Sequence, residues 1–569
     1  MKTTLKYILL ALLALSIGTT YAQTMSCCRA AYFDIDTAPD PPLFTGIGDS
    51  HWPIVTTSDS CQLYFDQGIR QGHCFNDFEA RRAFRLALRL DPTCAMCHWG
   101  LVSSNGNMDF DRKWTKNELD TATLLNERNH DSLYDYQRII IEATRHSLLD
   151  KPQRRADKQH EKILRAMPER YQNNLEYLLL LGNSIISEYD MNGKPLGRGE
   201  DAVAMRRRTL QLYPRSLAAH HYWIHEVEKG IYMDSASASA ALLPSLAPAS
   251  PHILHMPGHI YHRQGLYLRA DSAFKRAFLA DSIYMQRYHI SSYNDWNYIH
   301  NLYFLIGNLS EMGCLSEALL WQQKLDSIPP LDYCANSGIN HTGYHVYFPR
   351  IDSYMKAHDW SNAAETAEDI KGKIAAPAVD RDHPVVALTL TFLEGYANFN
   401  ASLDSGDLDN ALRQATELTY NAKHYYFKKC NYWDQYYGTF EFPVSTYLRQ
   451  CKAFMAEQNG DQKKAEKILK SAVENQKYDF QAEPPGLFCS PYEWYIKYLI
   501  RQHRAADASA QADEYMKLKR GSPYAAYCKA LAAEAAGSTD ARAQYRVCLQ
   551  KFATDEDFPL INFVRAKAK

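Results

Sequence analysis

The sequence predicts an all-α fold, a right-handed α-solenoid of helix–turn–helix repeats. Three observations carry this reading. Apolar residues recur mostly at helical spacing and β signals are scarce. Small residues return at a fixed distance after each turn, where two helices must approach closely. At 569 residues the chain is too long for one compact domain and suits a repeat array.

The repeat frames are explicit. With residue 61 as position 1, Tyr64, Gly68, Ala80, Phe84, Ala87 and Pro92 fall on the tetratricopeptide pattern, a unit of about 34 residues. Ala202 and Pro214 fit a second frame, and Leu254, Gly258, Tyr261, Ala270, Phe274 and Ala277 a third. "GCLSEAL", "HDWSNAAETA", "SGDLDNAL", "NGDQKKAEKIL" and "GSTDARAQY" continue the series. Such units bury their faces against their neighbours. The expected organisation is a signal peptide at 1–22, an irregular cap at 23–60 and a histidine-rich array at 61–330, then a second array at 331–569. Insertions or linkers are expected at 103–114 and 372–384.

The start, "MKTTLKYILLALLALSIGTTYAQ", has a basic n-region, a short apolar run and small residues at a cleavage site. This predicts export to the periplasm or beyond, with no lipobox and no membrane span. A net charge of −2 gives no general attraction to nucleic acid or anionic membranes. Thirteen cysteines are an odd number, and Cys61, Cys74, Cys94 and Cys97 lie close together. The "CAMC" spacing fits a local disulfide, plain burial, redox chemistry or half of a metal site.

The stretch 61–100, the preceding "GIGDSHWPIVT", and the motifs "HHYWIHEVE" and "HILHMPGHIYHRQGLY" resemble a family of exported bacterial tetratricopeptide-repeat proteins over roughly residues 45–310. The resemblance implies a fold and no particular reaction. Asp77 stands where that family often carries histidine, and "SSNGNM" departs from its more regular loop.

Resemblance to the repeat class also implies that positions 2, 5, 9 and 12 of each first helix face a concave groove. A frame starting at 217 places His221, His225 and Glu228 there. A frame starting at 251 places His252, His255, His259 and His262 there, and one starting at 299 places His300 there. His345 extends the groove in a frame starting at 344. Residues at i and i+4 share a helical face, so His221/His225 and His255/His259 are two candidate chelating pairs. Imidazole with carboxylate suits Zn or Fe, with Cu as a further choice. The expected metal ligands are His221, His225, Glu228, His255, His259, His262 and His300, with His252 and His345 as further groove residues. Glu226, Glu228 and Asp295 could orient imidazoles or act as a base. The groove would otherwise bind a peptide, protein, glycan or other small molecule without metal. His220 falls off the groove and reads as a core residue. Pro257 lies inside the third frame's first helix and predicts a kink between His255 and His259.

Overall fold

The computed structural model describes residues 38–104, 111–129, 131, 134–151, 153–185, 187–292, 294–328, 341–374, 384–426, 437–479, 489–554 and 556–569. The expected signal peptide and most of the two expected linkers lie outside these residues. Among the described residues the chain is all-α, a solenoid-type run of helical hairpins. One short antiparallel ribbon is added, β1 (Ser187–Tyr189) with β2 (Pro195–Gly197). No described helix is long and apolar enough to cross a membrane.

The helices separate into two compact units, one of residues 38–260 with Ala273–Tyr298, the other of Tyr261–Ser272 with Ile299–Lys569. The first unit opens with irregular chain over 38–58, then α1 (Asp59–His73), α2 (Asp77–Leu90) and α3 (Ala95–Ser103). It continues with α4 (Arg112–Arg128), α5 (Tyr136–Leu149), α6 (Gln153–Arg165), α7 (Leu175–Ser184), α8 (Gly199–Leu212), α9 (Leu217–Val227) and α10 (Ser237–Leu246). α11 (Pro251–Arg263), α12 (Tyr267–Tyr288) and α13 (Trp296–Met312) each contribute residues to both units.

Packing explains the repeat signature. A Cβ on Gly68 would lie 2.5 Å from the Phe84 ring, and one on Gly100 would meet the same ring at 2.5 Å. Gly258 repeats the arrangement in the later unit, with a Cβ only 2.2 Å from Phe274. The aromatic ring of each second helix therefore fills a notch that only glycine leaves open. Ala80, Ala87, Ala270 and Ala277 are fully buried.

The turns between paired helices are also alike. Gly265 and Gly313 adopt φ near +76° and +77°. In each the next residue's N–H reaches back five residues, Leu266 to Tyr261 at 2.8 Å and Cys314 to Leu309 at 2.9 Å. This is the helix C-terminal closure that favours glycine. Phe75 and His358 hold the same conformation at φ +55° and +57° without being glycine, which costs about 1–2 kcal/mol at each.

The second unit continues the pattern from α14 (Leu315–Asp326) and α15 (His341–Lys356) to α16 (Trp360–Ile374), α17 (Pro384–Asp404) and α18 (Leu408–Asn421). Two apolar cores fill it, one around Tyr396, Phe399 and Tyr447, the other around Tyr492, Tyr498 and Tyr545. Buried Lys356 pairs with buried Glu311, whose second oxygen accepts from the Ser522 hydroxyl at 2.6 Å. The side chain of His345 lies outside the described residues, although its backbone is within α15.

Candidate metal centre

Five imidazoles and one carboxylate gather in the first unit. His221 and His225 project from α9, Glu228 is the residue that ends it, and His252, His255 and His259 project from α11. Ser216 starts α9 by accepting from Ala219 N–H at 3.2 Å, and Ser250 with Pro251 starts α11. α11 runs continuously through Pro257, and the rings of His255 and His259 stay together at 4.7 Å. Gly258 leaves room for the Phe274 ring, which a Cβ there would meet at 2.2 Å.

The ring nitrogens are strictly arranged. Nε2 of His221 lies 3.1 Å from Nε2 of His225 and 3.1 Å from Nε2 of His252. One nitrogen from each of these three rings falls within 4.8 Å of the others. Each ring turns its other nitrogen to an acceptor. His221 Nδ1 donates to the backbone oxygen of His73 at 2.7 Å, and His225 Nδ1 to Glu228 Oε1 at 3.0 Å. His252 Nδ1 faces Asn297 Oδ1 at 3.1 Å, and the Asn297 amide donates to both oxygens of Asp281 at 3.1 Å. A carbonyl or carboxylate only accepts, so each Nδ1 carries its ring's proton. Three Nε2 lone pairs therefore converge on one point, and two such lone pairs cannot hydrogen-bond each other.

A proton on one ring or a cation between them would relieve that repulsion. Protonation is disfavoured: burial, and then the charges of His225 and His252, push His221 well below the ordinary imidazole range. Burial likewise depresses His252, with His225 and His259 adding to it. A tetrahedral zinc with Zn–N bonds of about 2.0–2.1 Å holds its ligand nitrogens about 3.4 Å apart, close to the observed 3.1 Å.

Glu228 corrects one expectation. Its oxygens do not join the converging nitrogens. They accept from Nδ1 of His225 at 3.0 Å and from Nδ1 of His259 at 2.7 Å, so the carboxylate stands behind two rings. Burial alone would push Glu228 up, but the charge of His259 and the hydrogen bonds from His225 and His259 hold it well below the usual range. On the far side, His259 Nε2 lies 2.7 Å from His255 Nε2. Glu228 thus links two imidazole groups, His221/His225/His252 and His255/His259. The ring centres of His225 and His259 are 5.8 Å apart.

Glu226, His262 and His220 have other partners. Glu226, the second candidate base, faces the Arg206 guanidinium at 3.7 Å, not the imidazoles. His262 belongs to the other unit, where Nδ1 pairs with Asn308 Oδ1 at 2.9 Å and the ring meets Tyr267 edge-on. His300 is buried, with its ring 4.7 Å from Phe304. His220 satisfies both nitrogens in the core, on Ser239 Oγ at 2.8 Å and the Pro214 carbonyl at 3.0 Å.

Four partners of the cluster were not marked by histidine spacing. These are the His73 carbonyl, Phe75, Trp296 and Asn297. Phe75 lies against three imidazoles, with ring centres 4.4 Å from His221, 5.4 Å from His225 and 5.2 Å from His252. Its strained turn is locked by Trp296 Nε1, which donates to the Phe75 carbonyl at 2.7 Å. Beside His252 a cavity of about 30 Å³ is lined by Phe75, Ser250, Asp295, Trp296 and Asn297. That is room for one or two waters. Burial pushes the Asp295 carboxyl up to about 7.

The sequence matches no protein-family model and no curated protein. Solved structures give remote likenesses. Human IFIT1, solved as a dimer with m7Gppp-AAAA, is 10% identical, with 88% of this chain and 92% of that chain covered, at a TM-score of 0.30. The P58(IPK) TPR domain is 12% identical, with 69% and 97% covered, at a TM-score of 0.18. Naa15/Naa10 bound to HypK-THB is 13% identical, with 90% and 89% covered, at a TM-score of 0.20.

Proposed function

We propose that this chain is a helical-repeat scaffold that binds one divalent transition metal through Nε2 of His221, His225 and His252. One observation carries the reading: three imidazoles, two of them buried, turn Nδ1 to His73 O, Glu228 and Asn297, and Nε2 of His221 lies 3.1 Å from Nε2 of each of the other two. Three neutral imidazoles suit Zn(II) first, then Fe(II) or Cu(II). The acceptors behind the rings orient them and raise their basicity, as partners of metal-bound histidine do.

Three protein ligands leave a fourth position for water or a substrate oxygen, the pattern of catalytic rather than structural zinc. Zinc there would supply Lewis acidity and a water that ionises near neutral pH. The chain's own residues would hold the ligand rings, keep an apolar ring against them and offer the small cavity at His252.

The test is elemental analysis of chain purified without a histidine tag. About one equivalent of transition metal per chain, present in the unmutated protein and missing from His221→Ala and from His252→Ala, is the expected result. Metal content equal in the unmutated chain and both variants would defeat the proposal and leave the histidine groove a metal-free peptide- or glycan-binding surface.

A further inference from the structure

Away from the imidazoles, the first unit brings three cysteines together. Cys61 lies in the first turn of α1, where its N–H donates to Ser58 Oγ at 3.2 Å. Cys94 caps α3, and its sulfur accepts from the Cys97 N–H at 3.2 Å. Cys97 lies in the first turn of α3. Cys61 Sγ is 3.6 Å from Cys97 Sγ, and all three sulfurs fall within 4.8 Å of one another. All three residues are 0% exposed.

The repeat makes this meeting. α1 and α3 are the first helices of successive units, so position 1 of one lies beside the start of the next. Two helix N-termini therefore end at one spot, and both place partial positive charge there. That charge favours thiolate over thiol.

We propose that Cys61, Cys94 and Cys97 form a second, independent metal site that takes a soft d10 cation, Zn(II) or Cu(I), through three sulfurs. Soft thiolate ligands select such ions. With Zn–S bonds of about 2.3 Å, tetrahedral sulfurs sit about 3.8 Å apart, and the Cys61–Cys97 separation of 3.6 Å already matches. A disulfide would need about 2.05 Å. On binding, three S–H protons leave to solvent as three metal–sulfur bonds form, with no change of oxidation state. The site then carries −1 with Zn(II) or −2 with Cu(I), next to two helix N-termini. A fourth position on zinc would fall to water or a neighbouring oxygen.

The site does not depend on the imidazole centre, and the experiment separates them. Full-length chain carrying His221→Ala and His225→Ala is reduced, freed of metal and titrated with Co(II). The expected result is about one cobalt per chain with a sulfur-to-cobalt charge-transfer band, and loss of that band in the added Cys61→Ser or Cys97→Ser variant. If those variants do not fold, zinc-edge X-ray absorption on the unmutated chain decides instead. Sulfur scatterers at about 2.3 Å are expected. Only nitrogen and oxygen around the zinc, or an intact-mass map joining Cys61 to Cys97 as a native disulfide, would overturn the proposal.

Discussion

Replacing Glu228 by glutamine tests the imidazole centre at the group that stands behind it. The carboxylate is 1% exposed and receives two N–H bonds, from His225 at 3.0 Å and His259 at 2.7 Å. Its carboxyl is held well below the usual range, so it is ionised at neutral pH. An amide keeps one acceptor oxygen and replaces the other with an NH2 donor. One of the two imidazole N–H groups then faces a donor. That ring must move its proton to Nε2 or rotate away, and at His225 either change removes a lone pair from the metal. A hydrogen bond to a charged group is worth about 1.5–3 kcal/mol. Removing an outer partner of a metal-bound imidazole costs about 10–100-fold in affinity, which is about 1.4–2.7 kcal/mol. The assay is competition for Zn(II) against a chromophoric chelator, on unmutated and Glu228→Gln chains of equal helicity. A dissociation constant about 10–100-fold weaker is expected. Affinity unchanged within about twofold, in a folded variant, would show that the imidazoles do not hold the metal through this geometry.

Further predictions follow from the same structure. His221 and His252 are kept neutral by burial, while the unfolded chain's imidazoles take protons near pH 6.5. The unfolded state therefore binds more protons below that pH. Stability of the metal-free chain is full above about pH 6.5 and falls as the pH drops, by up to about 2.7 kcal/mol per unit for two such groups. Urea midpoints between pH 7.5 and 5 measure this, and metal affinity should fall in the same window. Gly258→Ala would put a Cβ 2.2 Å from the Phe274 ring, so about 1–3 kcal/mol of stability should be lost. Gly72→Ala has nothing within 4 Å and should be neutral or gain up to about 1 kcal/mol; denaturant titration of the pair reads the contrast. In the second unit, Lys356→Met strands buried Glu311 and should cost about 3–5 kcal/mol, visible as a lower melting temperature. Double replacement with Glu311→Leu should recover much of the loss.

The helix pairs were legible because close packing writes its demands locally. A ring that must enter a notch fixes a glycine sixteen positions before it, as Gly68 and Phe84 or Gly258 and Phe274 do. The histidines that gather were marked by i,i+4 spacing on two first helices. Their division into two groups was not, because spacing places side chains on a face without saying which nitrogen points where. Glu228 shares the face of His225, and spacing alone could not tell a ligand from a group behind the ring. The His73 carbonyl has no side-chain signature at all. Phe75 had one, since it occupies the turn position that Gly265 and Gly313 fill elsewhere. A bulky residue where repeats want glycine is a strained choice, and such choices cluster at functional sites.

The cluster also changes what kind of repeat array the first unit is. In a simple stack each repeat touches only its neighbours, so the ends can open without the middle. Here the first hairpin is tied to units far along the chain. His221 reaches the His73 carbonyl across 148 residues, and Trp296 reaches the Phe75 carbonyl across 221. His73 itself bonds Glu176 at 2.9 Å and Tyr222 at 3.0 Å. The turn after α1 is thus a shared support for rings from α9 and α11. Opening the first hairpin would remove the acceptor that fixes the His221 proton and the ring that lies against three imidazoles. A cation held by those imidazoles would resist that opening by its binding free energy, about 4 kcal/mol at a thousandfold excess over the dissociation constant. Metal binding at these imidazoles would therefore be coupled to the cooperativity of the first unit, because the long-range ties meet at the same rings.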